Sequence, residues 1–230
     1  MVTCCQREGI ERQFGRRTAR WELRRLRKRG PSATTRTLIE AVRREGVTDA
    51  SILDIGGGVG AIYHELLTSG ARDAVHVDVS PDYLNVAREE AERRGHAARV
   101  QFIRGDFVDV APTQSVADVV TLDRVICCYP DMKRLVSVAA DKTRRLLGAV
   151  YPREAWWMRL LVNSVNVVNR LRRCPFRTYL HPPAAIDAVL RSHGLDRRSF
   201  RRTLAWEVVT YSRRPVAESA LRSGVSAGPV

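Results

Sequence analysis

No stretch of this chain approaches the roughly 18 consecutive apolar residues of a membrane span, so no integral membrane segment is expected. Lysine is nearly missing, with three residues against 36 arginines. That skew reads as a compositional habit, and it tempers what a formal net charge of +14 says about partners. Nucleic acid is therefore not the expected partner, although residues 1–45 carry 13 Arg or Lys against five acids. Residues 170–202 repeat the bias, with nine Arg against two acids. Zinc-type cysteine spacing is also lacking. Cys4-Cys5 and Cys127-Cys128 are adjacent pairs and Cys174 stands alone, so free thiols and no metal site are expected. The opening Met-Val-Thr-Cys-Cys-Gln-Arg-Glu has no apolar leader region, which makes the cytoplasm the expected compartment.

What is present is a strand followed by glycines. Ile52-Leu-Asp-Ile-Gly-Gly-Gly-Val-Gly60 reads as a short buried strand with an acid near its end and a glycine turn into a helix. Open α/β sheets build a nucleotide-sized pocket at that place. Gly56, Gly58 and Gly60 are expected to let the backbone approach a ligand. The glycines do not choose a cofactor, because Gly56-x-Gly58-x-x-Ala61 also satisfies the dinucleotide pattern. Val75-His-Val-Asp78 supplies a second strand ending in an acid, and Ser80-Pro81 opens the next helix with a cap and a first-turn proline.

The organisation follows from these signals. Residues 1–46 form an N-terminal helical cap, with one helix over 7–29, a stop at Gly30-Pro31 and a second helix over 32–46. Residues 47–211 alternate strands (51–55, 74–78, 99–104, 117–122) with helices (60–69, 81–94, 131–147), which predicts a parallel sheet covered on both faces. A short strand near 148–151 precedes a helical insertion at about 153–193. Two strands, near 196–201 and 204–211, then form an antiparallel hairpin. Residues 212–230 hold few large apolar groups and are expected to be a disordered tail.

Three acids stand at successive strand ends. Asp54, just before the glycines, would crowd a pyrophosphate but suit a cationic or amino-bearing ligand. Asp78, 18 residues beyond Gly60, is placed to accept from both ribose hydroxyls. Asp106 can accept from an adenine amino group while Phe107 packs on the ring. Each acid alone could instead cap a helix or a turn.

Together, Leu53-Asp-Ile-Gly-Gly-Gly-Val-Gly60, His76-Val-Asp-Val-Ser80, Gly105-Asp-Phe107 and Ala117-Asp-Val-Val-Thr-Leu-Asp123 resemble the class I S-adenosylmethionine-dependent methyltransferases. The resemblance covers about residues 35–211. It implies S-adenosyl-L-methionine as cofactor and a Rossmann-like sheet of order 3-2-1-4-5-7-6 with strand 7 antiparallel. It also implies a cofactor site of Asp54, Gly56, Gly58, Gly60, Asp78, Val79, Asp106, Phe107 and Leu122, with Asp123 where substrate enters. Within that family the chain is distantly similar to the magnesium-protoporphyrin O-methyltransferase group, although Cys127 stands where that group has histidine.

Transfer from a sulfonium needs alignment above all. The candidate groups near the transfer axis are Asp123, Tyr129 and His181, with Cys127 and Cys128 as packed small groups. Trp156, Trp157, Leu160, Leu161 and Val165 are expected to wall a lid, or else to be core. Arg16, Arg17 and Arg20 could meet a carboxylate. The expected partner is a small-molecule acceptor, and the expected state a monomer or homodimer. An NAD-dependent oxidoreductase and an RNA methyltransferase using the basic surface are the competing readings.

Overall fold

The computed structural model describes residues 4–214. A seven-stranded sheet runs through it in the order β3-β2-β1-β4-β5-β7-β6. The chain enters through α1 (Cys4–Gln13), α2 (Arg16–Arg29) and α3 (Ala33–Arg44). The parallel half follows as β1 (Ser51–Ile55), α4 (Ala61–Thr68), β2 (Asp73–Asp78), α5 (Pro81–Arg93), β3 (Val100–Arg104), α6 (Phe107–Val110), β4 (Ala117–Asp123), α7 (Met132–Asp141) and β5 (Thr143–Pro152). Then come α8 (Trp156–Leu171), α9 (Pro183–Ser192), β6 (Leu195–Arg202) and β7 (Trp206–Arg213). β7 runs antiparallel to both β5 and β6, as the expected sheet order requires.

β1 is central because both of its faces are covered. Leu53 and Ile55 join the core beneath α7 and α9, while Ile52 joins the core beneath α3 and α4. A strand buried on both faces reads as a continuous apolar run, which is why Ile52-Leu-Asp-Ile55 was legible. Gly148 sets the seat of α3. A Cβ there would lie 2.7 Å from the Leu38 methyl, so a side chain at 148 would lift the helix off β5.

Three expectations are corrected here. The single helix over 7–29 is two, broken at Phe14-Gly15. The Ser80 hydroxyl donates to the Phe14 carbonyl at 2.7 Å, which pins the break beside the tip of β2. The helix expected over 131–147 ends at Asp141, and Thr143 begins a ten-residue strand. Arg-Arg-Leu-Leu is helix-compatible locally, but pairing with β4 on one side and β7 on the other outweighs that preference. Ser212 and Arg213 lie in β7, so the expected tail starts too early; residues 215–230 lie outside the described residues. The short α6, capped by Asp106, was not foreseen.

Candidate active site

A cavity of about 460 Å³ opens over the carboxyl ends of β1, β2 and β4. Its floor is the glycine turn, and its walls come from both halves of the chain. Gly56, Gly58, Asp78, Val79, Asp106, Phe107, Asp123 and Tyr129 all line it. Asp54, Gly60, Leu122 and His181 do not.

The carboxylate of Asp78 organises the turn. One oxygen accepts from the Gly58 amide at 3.1 Å and the other from the Ser80 amide at 2.8 Å. Burial pushes its pKa up to about 6, partly offset by those two amides. A ligand hydroxyl donating to it would favour the ionised form further. Gly58 has φ +58° and an added Cβ would meet the Tyr83 ring at an ordinary 3.5 Å, so this glycine serves backbone shape. Gly56 and Gly60 share that left-handed backbone, at φ +59° and +82°, and have a second reason besides. A Cβ at 56 would meet Val125 at 2.6 Å, and one at 60 would meet the Tyr63 hydroxyl at 2.4 Å. Backbone shape and room for neighbours within the protein together fix those two positions.

Asp54 lies under the turn. It is wholly buried, and one oxygen accepts from the Thr121 hydroxyl at 2.6 Å. The other oxygen has no hydrogen-bond partner, with His76 Nδ1 4.0 Å away. Burial raises the Asp54 pKa to about 7 and lowers that of His76 to about 3. A Cβ at Gly57 would sit 2.3 Å from the unpaired Asp54 oxygen, so the middle glycine of the run makes room for this acid. Its expected contact with a ligand becomes support from beneath. Leu122 is likewise buried in the core below the sheet.

On the far wall Asp106 caps α6 by accepting from the Val108 amide at 3.1 Å. The Tyr129 hydroxyl donates to its other oxygen, also at 3.1 Å. Tyr129, a candidate group near the transfer axis, thus holds Asp106. Asp123 accepts from the Thr35 hydroxyl at 2.5 Å and from Arg124 Nε at 3.1 Å. Arg124 has a left-handed φ of +62°, uncommon outside glycine and a mark of a constrained turn at the cavity edge. His181 is turned away from the cavity and donates from Nε2 to the Tyr129 carbonyl at 2.9 Å. Burial lowers its pKa, and its bond to that carbonyl supports the segment carrying Tyr129.

The cap contributes more than the sequence suggested. Phe14, Glu22, Arg25 and Leu26 reach the cavity, whereas Arg16, Arg17 and Arg20 are exposed and do not. Burial raises the Glu22 carboxyl above its usual range. Phe14 meets Tyr83 and Phe176 edge-on, at centroid distances of 5.9 and 5.7 Å. A Cβ at Gly9 would lie 2.3 Å from the Phe176 amide nitrogen, so α1 lies directly on that segment. The weak signal for all this was Ala19, Leu23 and Leu26, a thin apolar stripe on a charged helix. Trp156, Trp157, Leu160, Leu161 and Val165 are absent from the cavity, and all but Trp157 are exposed to solvent rather than core. Cys127 and Cys128 both line it, with their sulfurs 3.9 Å apart.

Glu22, Asp78, Asp106 and Asp123 face the cavity against Arg25 and Arg124. A predominance of acids in a chain of net charge +14 favours a ligand with a positive centre. Among the described residues no group of side chains could hold a metal ion.

The sheet order is that of the class I S-adenosylmethionine-dependent methyltransferase fold. Residues 52–146 match a family model described as a methyltransferase domain. The chain is similar in structure to magnesium protoporphyrin IX methyltransferase from Synechocystis PCC 6803, with TM-score 0.67 and 18% identity over 89% of this chain and 99% of that one. In sequence it resembles a ribosomal protein L11 methyltransferase of Haemophilus influenzae (30% identical over 49% of this chain and 38% of the relative). It also resembles a release factor glutamine methyltransferase of Moorella thermoacetica (40% over 34% of this chain and 29% of the relative). The chain thus spans well under half the length of these curated relatives.

Proposed function

We propose that this chain transfers a methyl group from S-adenosylmethionine to a small, partly hydrophobic acceptor at oxygen, nitrogen or carbon. The observation that carries the reading is the acid-lined cavity built on Asp78, Asp106 and the glycine turn. When bound, the cofactor supplies a methyl group already activated on a cationic sulfur. Asp78 accepts from the ribose hydroxyls while its own amide partners keep it aimed. Asp106, steadied by Tyr129, and Phe107 form the adenine side. Asp54 lies beneath the turn, tied to Thr121 of β4.

The acceptor lies under the cap, against Ile10, Phe14, Phe176 and Thr178. These side chains give the cavity an apolar wall suited to a small organic molecule. Glu22 lines the same cavity and is the group there that can receive a proton, since burial raises its carboxyl pKa. Alignment of acceptor and methyl donor under this cap is the main source of rate.

Calorimetry with S-adenosylmethionine, its demethylated product and NAD tests the reading. Binding of the sulfur compounds with little NAD binding is expected. Tight NAD binding with no response to either sulfur compound overturns it.

A further inference from the structure

α8 is turned inside out relative to an ordinary surface helix. Positions 156, 160, 164, 167 and 171 share one helical face, and that face points to solvent. Trp156, Leu160, Val167 and Leu171 are 75, 58, 56 and 79% exposed. Ser164, the polar residue among them, folds its hydroxyl back onto the Leu160 carbonyl at 2.9 Å. Two of the helix's three asparagines face the protein instead, while Asn163 is exposed. Asn166 bonds the Thr178 backbone at both its carbonyl and its amide (2.8 and 2.9 Å), and Asn169 donates to the Phe176 carbonyl at 3.2 Å. Only Met158 and Val162 of this helix are buried. Those inward amides rule out a rotation that would hide the apolar face, because turning the helix would strand them.

Charge identifies the occupant. Residues 153–181 contain six arginines and one acid, Glu154, which Arg159 already engages at 2.6 Å. Arg159, Arg170, Arg172 and Arg173 are exposed along the helix edge and just past its end. We propose that α8 docks this protein on the surface of a bilayer containing anionic lipid, lying in the plane of the interface. An apolar face with an aromatic residue, edged by arginine, is the composition such a surface takes up. At 16 residues the helix is about 24 Å long, and no helix among the described residues is long and apolar enough to cross a membrane. A second copy of the chain fits less well, since a two-fold contact through this face would bring the same arginines together without matching acids. The amide contacts to Phe176 and Thr178 tie the docked helix to the cavity wall, setting that wall beside the lipid. The docking does not depend on the methyl-transfer reading.

The test is co-sedimentation of the full chain with phosphatidylcholine vesicles, with and without phosphatidylglycerol. The wild type should sediment with the mixed vesicles, and high salt should weaken it. Leu160→Asp with Leu171→Asp should reduce the vesicle affinity at least about tenfold per leucine, given what burying such a side chain contributes. Both positions are more than half exposed, so the thermal melt and the affinity for S-adenosylmethionine should stay unchanged. Failure of the wild type to bind mixed vesicles overturns the proposal, as does equal binding by the folded double variant. A wild-type dimer that the double variant dissolves, without vesicle binding, would assign the face to a second copy and overturn it too.

Discussion

The two helical additions to this sheet behave oppositely to their composition. α2 is dense in arginine, yet it buries Ala19, Leu23 and Leu26 and sends Glu22 and Arg25 to the cavity. α8 is rich in tryptophan, leucine and valine, yet it buries only Met158 and Val162 and reaches the cavity nowhere. Apolar content alone did not decide which helix closes the site. The anchors did. α2 is held to α5 by Arg27 on buried Glu90, and the break before it is hooked to Ser80. α8 is held by asparagines that leave its apolar side outward. A helix takes the orientation in which its polar groups find partners, because a buried polar group left alone costs more than an exposed leucine forfeits.

Substitutions can break that contrast, and the largest effect is expected at the turn the cap encloses. Asp78→Ala removes a charged acceptor that two amides and, in the proposed complex, two hydroxyls share. Hydrogen bonds to a charged group contribute roughly 1.5–3 kcal/mol, so S-adenosylmethionine affinity should fall about 10- to 150-fold by calorimetry. Unchanged affinity in a folded variant would reduce Asp78 to a strand terminator.

Next comes the aromatic ring beside that hook. Phe14→Ala removes the ring between Tyr83 and Phe176, and a half-buried aromatic should contribute about 1.5–3 kcal/mol, less than the full core value. The thermal midpoint should drop by several degrees and cofactor affinity should weaken with it. A variant that melts early but binds normally would show that the cap packs without closing the site.

Glu90→Gln tests the clamp between α2 and α5. Burial by itself would raise the Glu90 pKa, but Arg93, Arg94 and Arg27 outweigh it and hold the carboxyl well below its ordinary 4.5. A carboxylate with a depressed folded pKa adds stability that is present above the unfolded value and lost as pH falls through the folded one. The variant should therefore be less stable by about 1–2 kcal/mol near neutrality, and the gap should narrow on acidification below about pH 4.5. A gap independent of pH in denaturant titrations would show that the ion cluster is not its source.

The smallest effect is expected on α8. Trp156→Ala should change stability by no more than about 0.5 kcal/mol and leave turnover in vesicle-free solution intact, because the side chain is 75% exposed and remote from the cavity wall. A marked loss of turnover there would restore the lid reading and erase the contrast between the two helices.

Legibility followed the range of the forces involved. Ile52–Gly60, Val75–Asp78 and Ser80-Pro81 were readable because strand burial, the acid at a strand end and the helix cap are all local matters. The order of the strands followed from the family resemblance, and the structure has it. β5 was misread at 143–147 because its partners, β4 and β7, lie far away along the chain. Gly57 went unremarked because its need for a bare Cα comes from Asp54 and His76 beneath it. Tyr129, His181 and Trp156 were assigned by proximity in sequence to the transfer region. Only tertiary structure could show that the first holds Asp106, the second a backbone carbonyl and the third nothing within the fold. Sequence by itself determined the first strands and the acids at their tips, since each follows from neighbours a few residues apart. Which helix closes the cavity and which faces outward was decided by hydrogen bonds and ion pairs between distant segments, Phe14 to Ser80, Arg27 to Glu90 and Asn166 to Thr178, and no local pattern encodes those.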